Sequence, residues 1–260
     1  MLARAHENGI EKIICIGTSH EDSLAARDFA EAHDNVFWTY GIHPEYASEE
    51  SDQSFCNPLR SGPFAFGNSR PKGRALRASL AKSLPLSRTI AKTPVQTPSE
   101  LVAIGEVGLD YHYEGYDRSA QIKLFREMLQ LAKDNDLPVS FHVREAFDDF
   151  FEVVKDFPEV RGVVHSFTDS KKVLKRILNE TNFYVGVNGL ATYSTLPTPP
   201  LERILIETDA PFLTPVPFRG IINECAYVRN IAEWLSTKLG IDLETIERET
   251  TKNAKQLFHI

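Results

Sequence analysis

The chain has 260 residues, 42% hydrophobic and 25% charged, enough to bury the core of one α/β domain. No apolar run is long enough for a membrane span and no secretory leader is read. The three cysteines, Cys15, Cys56 and Cys225, are odd in number and far apart, which excludes a disulfide framework or a zinc ribbon and fits reduced thiols in the cytoplasm. The net charge of -7 argues against a broad duplex binder, but not against an enzyme that grips one strand end.

Residues 1–9 read as the tail of a helix that stops at Gly9. Ile13-Ile-Cys-Ile16 reads as a buried strand, residues 23–33 as a helix with Leu24, Phe29 and Ala30 inward, and Val36-Phe-Trp-Thr-Tyr40 as a second strand. A strand over 101–106 precedes an amphipathic helix over 119–135, whose Ile122, Phe125, Met128, Leu129 and Ala132 keep helical spacing. A strand to His142, a helix over 146–155 and a strand to His165 come next. They are followed by a helix over 170–179 and strands over 183–187 and 204–206. Two helices near 226–239 and 242–257 end the chain. Regular alternation of strand and helix predicts a parallel α/β fold.

One segment breaks the pattern. Between Gln53 and Ser99 there are eight Lys and Arg and no Asp or Glu, with many Ser, Pro and Gly. The expectation is a single domain over 1–260 carrying a disordered basic insertion at about 51–99, either a solvated loop or a tether for nucleic acid.

Four ionisable residues each end an apolar run. Glu106 closes 101–106, His142 closes 138–142, His165 closes 162–165, and Asp209 follows 204–208. Such runs predict buried parallel strands whose C-terminal ends face one centre, where two imidazoles and two carboxylates suit a divalent ion such as Mg, Mn or Zn. Asp209 beside a metal can also take the proton of an attacking water. His43, in Gly41-Ile-His43-Pro44, is a candidate contact to substrate phosphate, and Arg144 offers its planar fork to a phosphate oxygen. Each has a plainer alternative. Glu106 could pair with a basic residue at the rim, the histidines could be hydrogen-bonded core residues, and Asp209 could cap a helix. His43 could belong to a turn, and Arg144 could pair with Glu145.

Taken together and in order, Gly41-Ile-His43-Pro44, Gly105-Glu106-Val-Gly-Leu-Asp110-Tyr111, His142-Val-Arg144, His165-Ser-Phe167 and Glu207-Thr-Asp209-Ala-Pro211 resemble the TatD family of metal-dependent deoxyribonucleases. Arg219-Gly220 and Asn223-Glu224 are also similar to that family, although Cys225 stands where a proline is expected. The resemblance extends from the first residues to Ile260, interrupted by the basic segment. It implies a TIM-barrel-like metal-dependent hydrolase with two divalent ions at the strand ends. Glu106 would bridge them, His142 and His165 would hold one, and Asp209 the other. The reaction implied is hydrolysis of DNA phosphodiester bonds from the 3′ end of single strands, with no obligate protein partner and no membrane.

Two departures qualify this. The family opens with a strand carrying His-x-His, which is absent here, so the expectation is a barrel of about seven strands lacking its first, with an exposed edge. At least one metal is still expected to bind, with activity reduced or lost. The stretch 188–201 is short and Pro-rich where a full helix is expected, and with the insertion this reads as a fragment, a splice variant or an imperfect gene model. Two rival readings stay open: an amidohydrolase-like barrel cleaving other esters or amides, and a non-catalytic protein that binds nucleic acid or a protein partner.

Overall fold

The computed structural model describes residues 1–48 and 101–260, so the basic segment at about 51–99 lies outside the described residues. Seven strands are found among the described residues. They are β1 (Ile13–Cys15), β2 (Val36–Tyr40), β3 (Leu101–Asp110), β4 (Val139–Arg144), β5 (Gly162–Val164), β6 (Tyr184–Val187) and β7 (Ile204–Ile206). Every neighbouring pair is parallel and the sheet order is the chain order, with β1 and β7 at the edges. With helices between strands, this is a TIM-barrel-like α/β fold, and the seven strands are those expected.

The helices are α1 (Leu2–Glu7), α2 (His20–Glu31), α3 (Arg118–Asn135), α4 (Phe147–Val154), α5 (Lys171–Glu180), α6 (Val228–Leu239) and α7 (Leu243–Phe258). Their starts follow capping chemistry. Ser19, Asp117, Ser170 and Asp242 each accept a backbone N–H from the first turn of α2, α3, α5 and α7. The cap at Ser19 moves the start of α2 ahead of the expected residue 23. Between β6 and β7 only short 3-10 turns form, at Gly189–Thr192 and Leu201–Arg203, because Pro197, Pro199 and Pro200 cannot donate to a longer helix.

The interior divides along the strands. Near their starts, Ile14, Phe37, Val102, Val163, Tyr184 and Leu205 come from six different strands and pack with Leu257 and Phe258 at the end of α7. Outside the sheet, Phe141 of β4 meets Phe150 of α4 and Phe183 before β6, at ring distances of 5.3 and 4.7 Å. Phe125 of α3 lies 6.1 Å from Phe141. Burial of each such ring stabilises the fold by about 1.5–3 kcal/mol. The apolar plug at the strand starts leaves the polar groups to gather at the other end.

Two strand ends differ from expectation. Glu106 does not close its strand, since β3 runs on to Asp110, and β4 continues two residues past His142 to Arg144. The cause is Gly108, at φ +153°, which pairs with His142 so closely that a Cβ there would enter the His142 backbone. The glycines beside Glu106 bring two extended chains together rather than turning the chain.

Candidate metal centre at the strand ends

The predicted residues lie on consecutive strand ends: His43 beyond β2, Glu106 within β3, His142 within β4, His165 directly after β5, and Asp209 three residues beyond β7. Backbone bonds between these segments fix their positions. The Glu106 N–H donates to the Gly17 carbonyl at 2.6 Å, the His43 N–H to Thr18 at 2.7 Å, and the His165 N–H to Phe141 at 3.0 Å.

Glu106 is the hub. Its Oε1 lies 2.7 Å from His142 Nδ1, 2.7 Å from His165 Nε2 and 3.8 Å from His43 Nε2. His142 Nδ1 and His165 Nε2 are 3.4 Å apart, and the His43 ring meets the His142 ring edge-on at 4.3 Å. One ligand atom each from His43, Glu106 and His142 falls within 4.8 Å of the others. Among the described residues the ion-pair partners of Glu106 are histidines, not the rim lysine or arginine of the plainer alternative.

Two further carboxylates stand beside the imidazoles. Asp110 Oδ2 lies 2.9 Å from His142 Nε2, on the opposite side of the ring from Glu106. Glu207 Oε1 lies 3.8 Å from His165 Nδ1 and accepts the Ser166 N–H. If Asp110 takes the His142 Nε2–H, Nδ1 is left with a lone pair that can face a cation. Asp110 was visible in the sequence only as part of a motif, because its pairing joins positions 32 residues apart on different strands.

The same pattern governs His43. Its Nδ1 accepts the Glu45 N–H at 3.3 Å, so the neutral ring carries its proton on Nε2, the atom that faces Glu106. His43 therefore caps the short turn Pro44–Tyr46 and turns its Nε2 toward Glu106.

The remaining two residues resolve as follows. Arg144 does not pair with Glu145, which instead meets His112 at 2.6 Å; its guanidinium lies over Tyr113. Asp209 is half-buried, and its side chain has no hydrogen-bond donor among the described residues. Its backbone carbonyl accepts the Phe212 N–H at 2.9 Å within a turn, and no helix starts there for it to cap.

Charge sets the protonation pattern. Burial would raise the Glu106 carboxyl, but the His165 and His142 imidazoles hold it well below the usual carboxylate range. Burial would lower His165, yet Glu106, with Glu207 and Asp209 behind it, pushes it up to about 10. Burial opposes His142 in the same way, and Asp110 and Glu106 raise it. Burial raises Asp209 and takes Glu207 up to about 7. Burial, with His142 beside it, lowers His43. His142, His165, Glu207 and Asp209 are thus drawn toward their protonated forms, and mixed imidazole and carboxylate donors fit a divalent ion. Asp209, an acceptor with no donor, fits one too.

A protein-family model described as TatD related DNase matches residues 1–259. An uncharacterized metal-dependent hydrolase of Bacillus subtilis, YabD, is 31% identical across all of this chain and 92% of its own. A 3′-5′ ssDNA/RNA exonuclease TatD of Erwinia tasmaniensis is 29% identical across all of this chain and 93% of its own. The crystal structure of YjjV, a TatD homologue from Escherichia coli K12, superposes with a TM-score of 0.78 at 26% identity, covering all of this chain and 90% of that one. With its cluster of imidazoles and carboxylates at the ends of parallel strands, the chain belongs to the TatD-related DNase family of metal-dependent hydrolases.

Proposed function

We propose that the chain hydrolyses phosphodiester bonds of DNA, working from the 3′ end of single strands. Glu106, His142 and His165 would hold one divalent ion, Mg, Mn or Zn, and Asp209 with a share of Glu106 a second, weaker one. The observation that carries the reading is the single Glu106 oxygen that reaches both His142 Nδ1 and His165 Nε2 at 2.7 Å. Similarity to relatives named ssDNA/RNA exonucleases supports a nucleic-acid substrate.

When bound, such ions polarise a phosphoryl group, acidify water and stabilise a leaving oxygen. The chain supplies the rest. Asp209, its carboxyl raised by burial, takes the proton of the attacking water. His43 Nε2–H donates to a phosphate oxygen, and Arg144 meets another through its planar fork. Asp110 keeps the His142 imidazole from rotating, and Glu207 places a second carboxylate beside His165. The test is incubation of 5′-labelled single-stranded DNA with the chain loaded in turn with Mg, Mn and Zn. A ladder of progressively shortened products is expected. No cleavage with any of the three, alongside no metal uptake by calorimetry, rejects the proposal.

A further inference from the structure

We infer that the rim of the metal centre is a cradle that stacks on unpaired nucleobases, with its arginines on the phosphates between them. This rests on the hydrolase reading and adds what the site recognises in its substrate.

Exposed apolar surface is concentrated at this rim. Among the described residues, nine large hydrophobic side chains are exposed, and five of them, Phe212, Val216, Phe218, Ile221 and Ile222, fall in the loop that leaves Asp209. Two more, Tyr113 and Tyr116, lie in the loop that leaves β3. Phe212 is 70% exposed and Ile222 78%, far beyond what a loop needs for its own packing. The loop is nonetheless built. Asn223 Nδ2 donates to the Thr208 and Phe212 carbonyls at 2.7 and 2.6 Å, and Thr214 Oγ1 to Ile221 at 2.6 Å. The Val216 N–H donates to Thr192 Oγ1 at 3.0 Å. The β3 loop is held as well, by Tyr111 stacked on Tyr116 at 4.6 Å and its hydroxyl donating to Asp149 at 2.7 Å.

Each side of the rim carries an arginine on a tyrosine face. The Arg144 guanidinium lies 5.4 Å from the Tyr113 ring centre, and that of Arg219 lies 4.0 Å from Tyr193. Neither forms an ion pair with a carboxylate among the described residues, unlike Arg118, Arg126, Arg176 and Arg229. Sheet order sets the two pairs apart, Tyr113 after β3 with Arg144 at the end of β4, and Tyr193 after β6 with Arg219 after β7, with His165 after β5 between them.

Charge selects the occupant. In a chain of net charge -7, residues 211–222 hold no Asp or Glu and one arginine. Flat apolar surfaces beside unneutralised guanidiniums match a polyanion that carries flat apolar rings, which is a single strand of nucleic acid. In a duplex the ring faces are already stacked on one another and cannot reach the platform.

The experiment uses the manganese-loaded chain and cleavage-resistant phosphorothioate strands in fluorescence anisotropy. It compares an oligothymidylate, an abasic strand of equal length and a duplex. The oligothymidylate should bind about tenfold more tightly than the abasic strand, the effect of stacking about one base. Phe212→Ser and Tyr113→Ser should each erode that preference, Phe212→Tyr should keep it, and Arg219→Ala should weaken both single strands alike. Equal binding of the two single strands overturns the inference. So does a Phe212→Ser chain that changes only its self-association in sedimentation, which would make the loop a contact between copies. Read beside the cleavage assay on unmodified single-stranded DNA, cleavage without base preference in binding keeps the proposed hydrolysis and sinks the cradle. Base preference without cleavage does the reverse, and neither binding nor cleavage sinks both.

Discussion

Asp110 Oδ2 and Glu106 Oε1 hold opposite nitrogens of the His142 ring, at 2.9 and 2.7 Å. The ring cannot rotate without losing both contacts, so Asp110 aims the lone pair of Nδ1 at the centre. Asp110→Asn keeps the shape and removes the charge that makes the imidazole a stronger donor. The expected outcome is a loss of about 10–100-fold in manganese affinity by calorimetry, with little change in melting temperature. Unchanged affinity would remove Asp110 from the site.

Protonation of the metal-free centre should be visible as stability. His165 titrates at about 10 in the fold against about 6.5 in an unfolded chain. A folded pKa raised above the unfolded one gives stability that is complete below about 6.5 and lost as pH rises toward 10. Glu207, pushed up to about 7 from about 4.3 unfolded, loses its contribution in the same direction over that lower window. The EDTA-treated chain should therefore melt at falling temperature from mildly acidic to alkaline pH, and added zinc or manganese should flatten the decline. A metal-free chain whose melting temperature is level across that range contradicts the assignment of the proton to His165.

Strand positions were legible because each short apolar run could only be a buried strand, and seven runs became seven strands. Glu106, His142 and His165 stood out as ionisable residues in or directly after such runs. The extent of β3 was not legible. A glycine inside an apolar run weakens a strand on its own, whereas the structure uses Gly108 to let β3 press against His142 and run on to Asp110. Nor was the partnership of Asp110 with His142, or of Glu207 with His165, since contacts between strands leave no local spacing to read. The Arg144 and Tyr113 stack escaped for that reason too, and with it the finding that Glu145 is occupied by His112.

Gly186 provides a test of how tightly the centre is packed. It lies in β6, where a Cβ would stand 2.7 Å from the Glu207 carboxylate. Gly186→Ala should push Glu207 away from the Ser166 N–H and from His165. Overpacking of this kind costs about 1–3 kcal/mol, read as a lower urea midpoint, and metal affinity should fall with it. An alanine chain as stable and as tightly metallated as the parent would show that Glu207 has room to move.

Asp209 carries the proposed proton transfer, and its environment suits the task. Burial raises its carboxyl, so the ionised form binds a proton more strongly than an exposed aspartate would. No hydrogen-bond donor among the described residues occupies the lone pairs that would receive that proton. Only the ionised form can act as base, so hydrolysis should rise with pH through the carboxyl's own pKa, which the ion it helps to hold draws down from the raised metal-free position. Asp209→Asn cannot accept a proton, and kcat should fall by roughly 10²–10⁴ with that acidic limb of the profile gone. Because Asp209 is also the proposed holder of the weaker ion, the comparison is made at saturating manganese, where a pure loss of metal affinity is recovered and a loss of the base is not. An asparagine chain that regains the parent rate and the parent pH profile under those conditions leaves Asp209 as a metal ligand alone and requires another base.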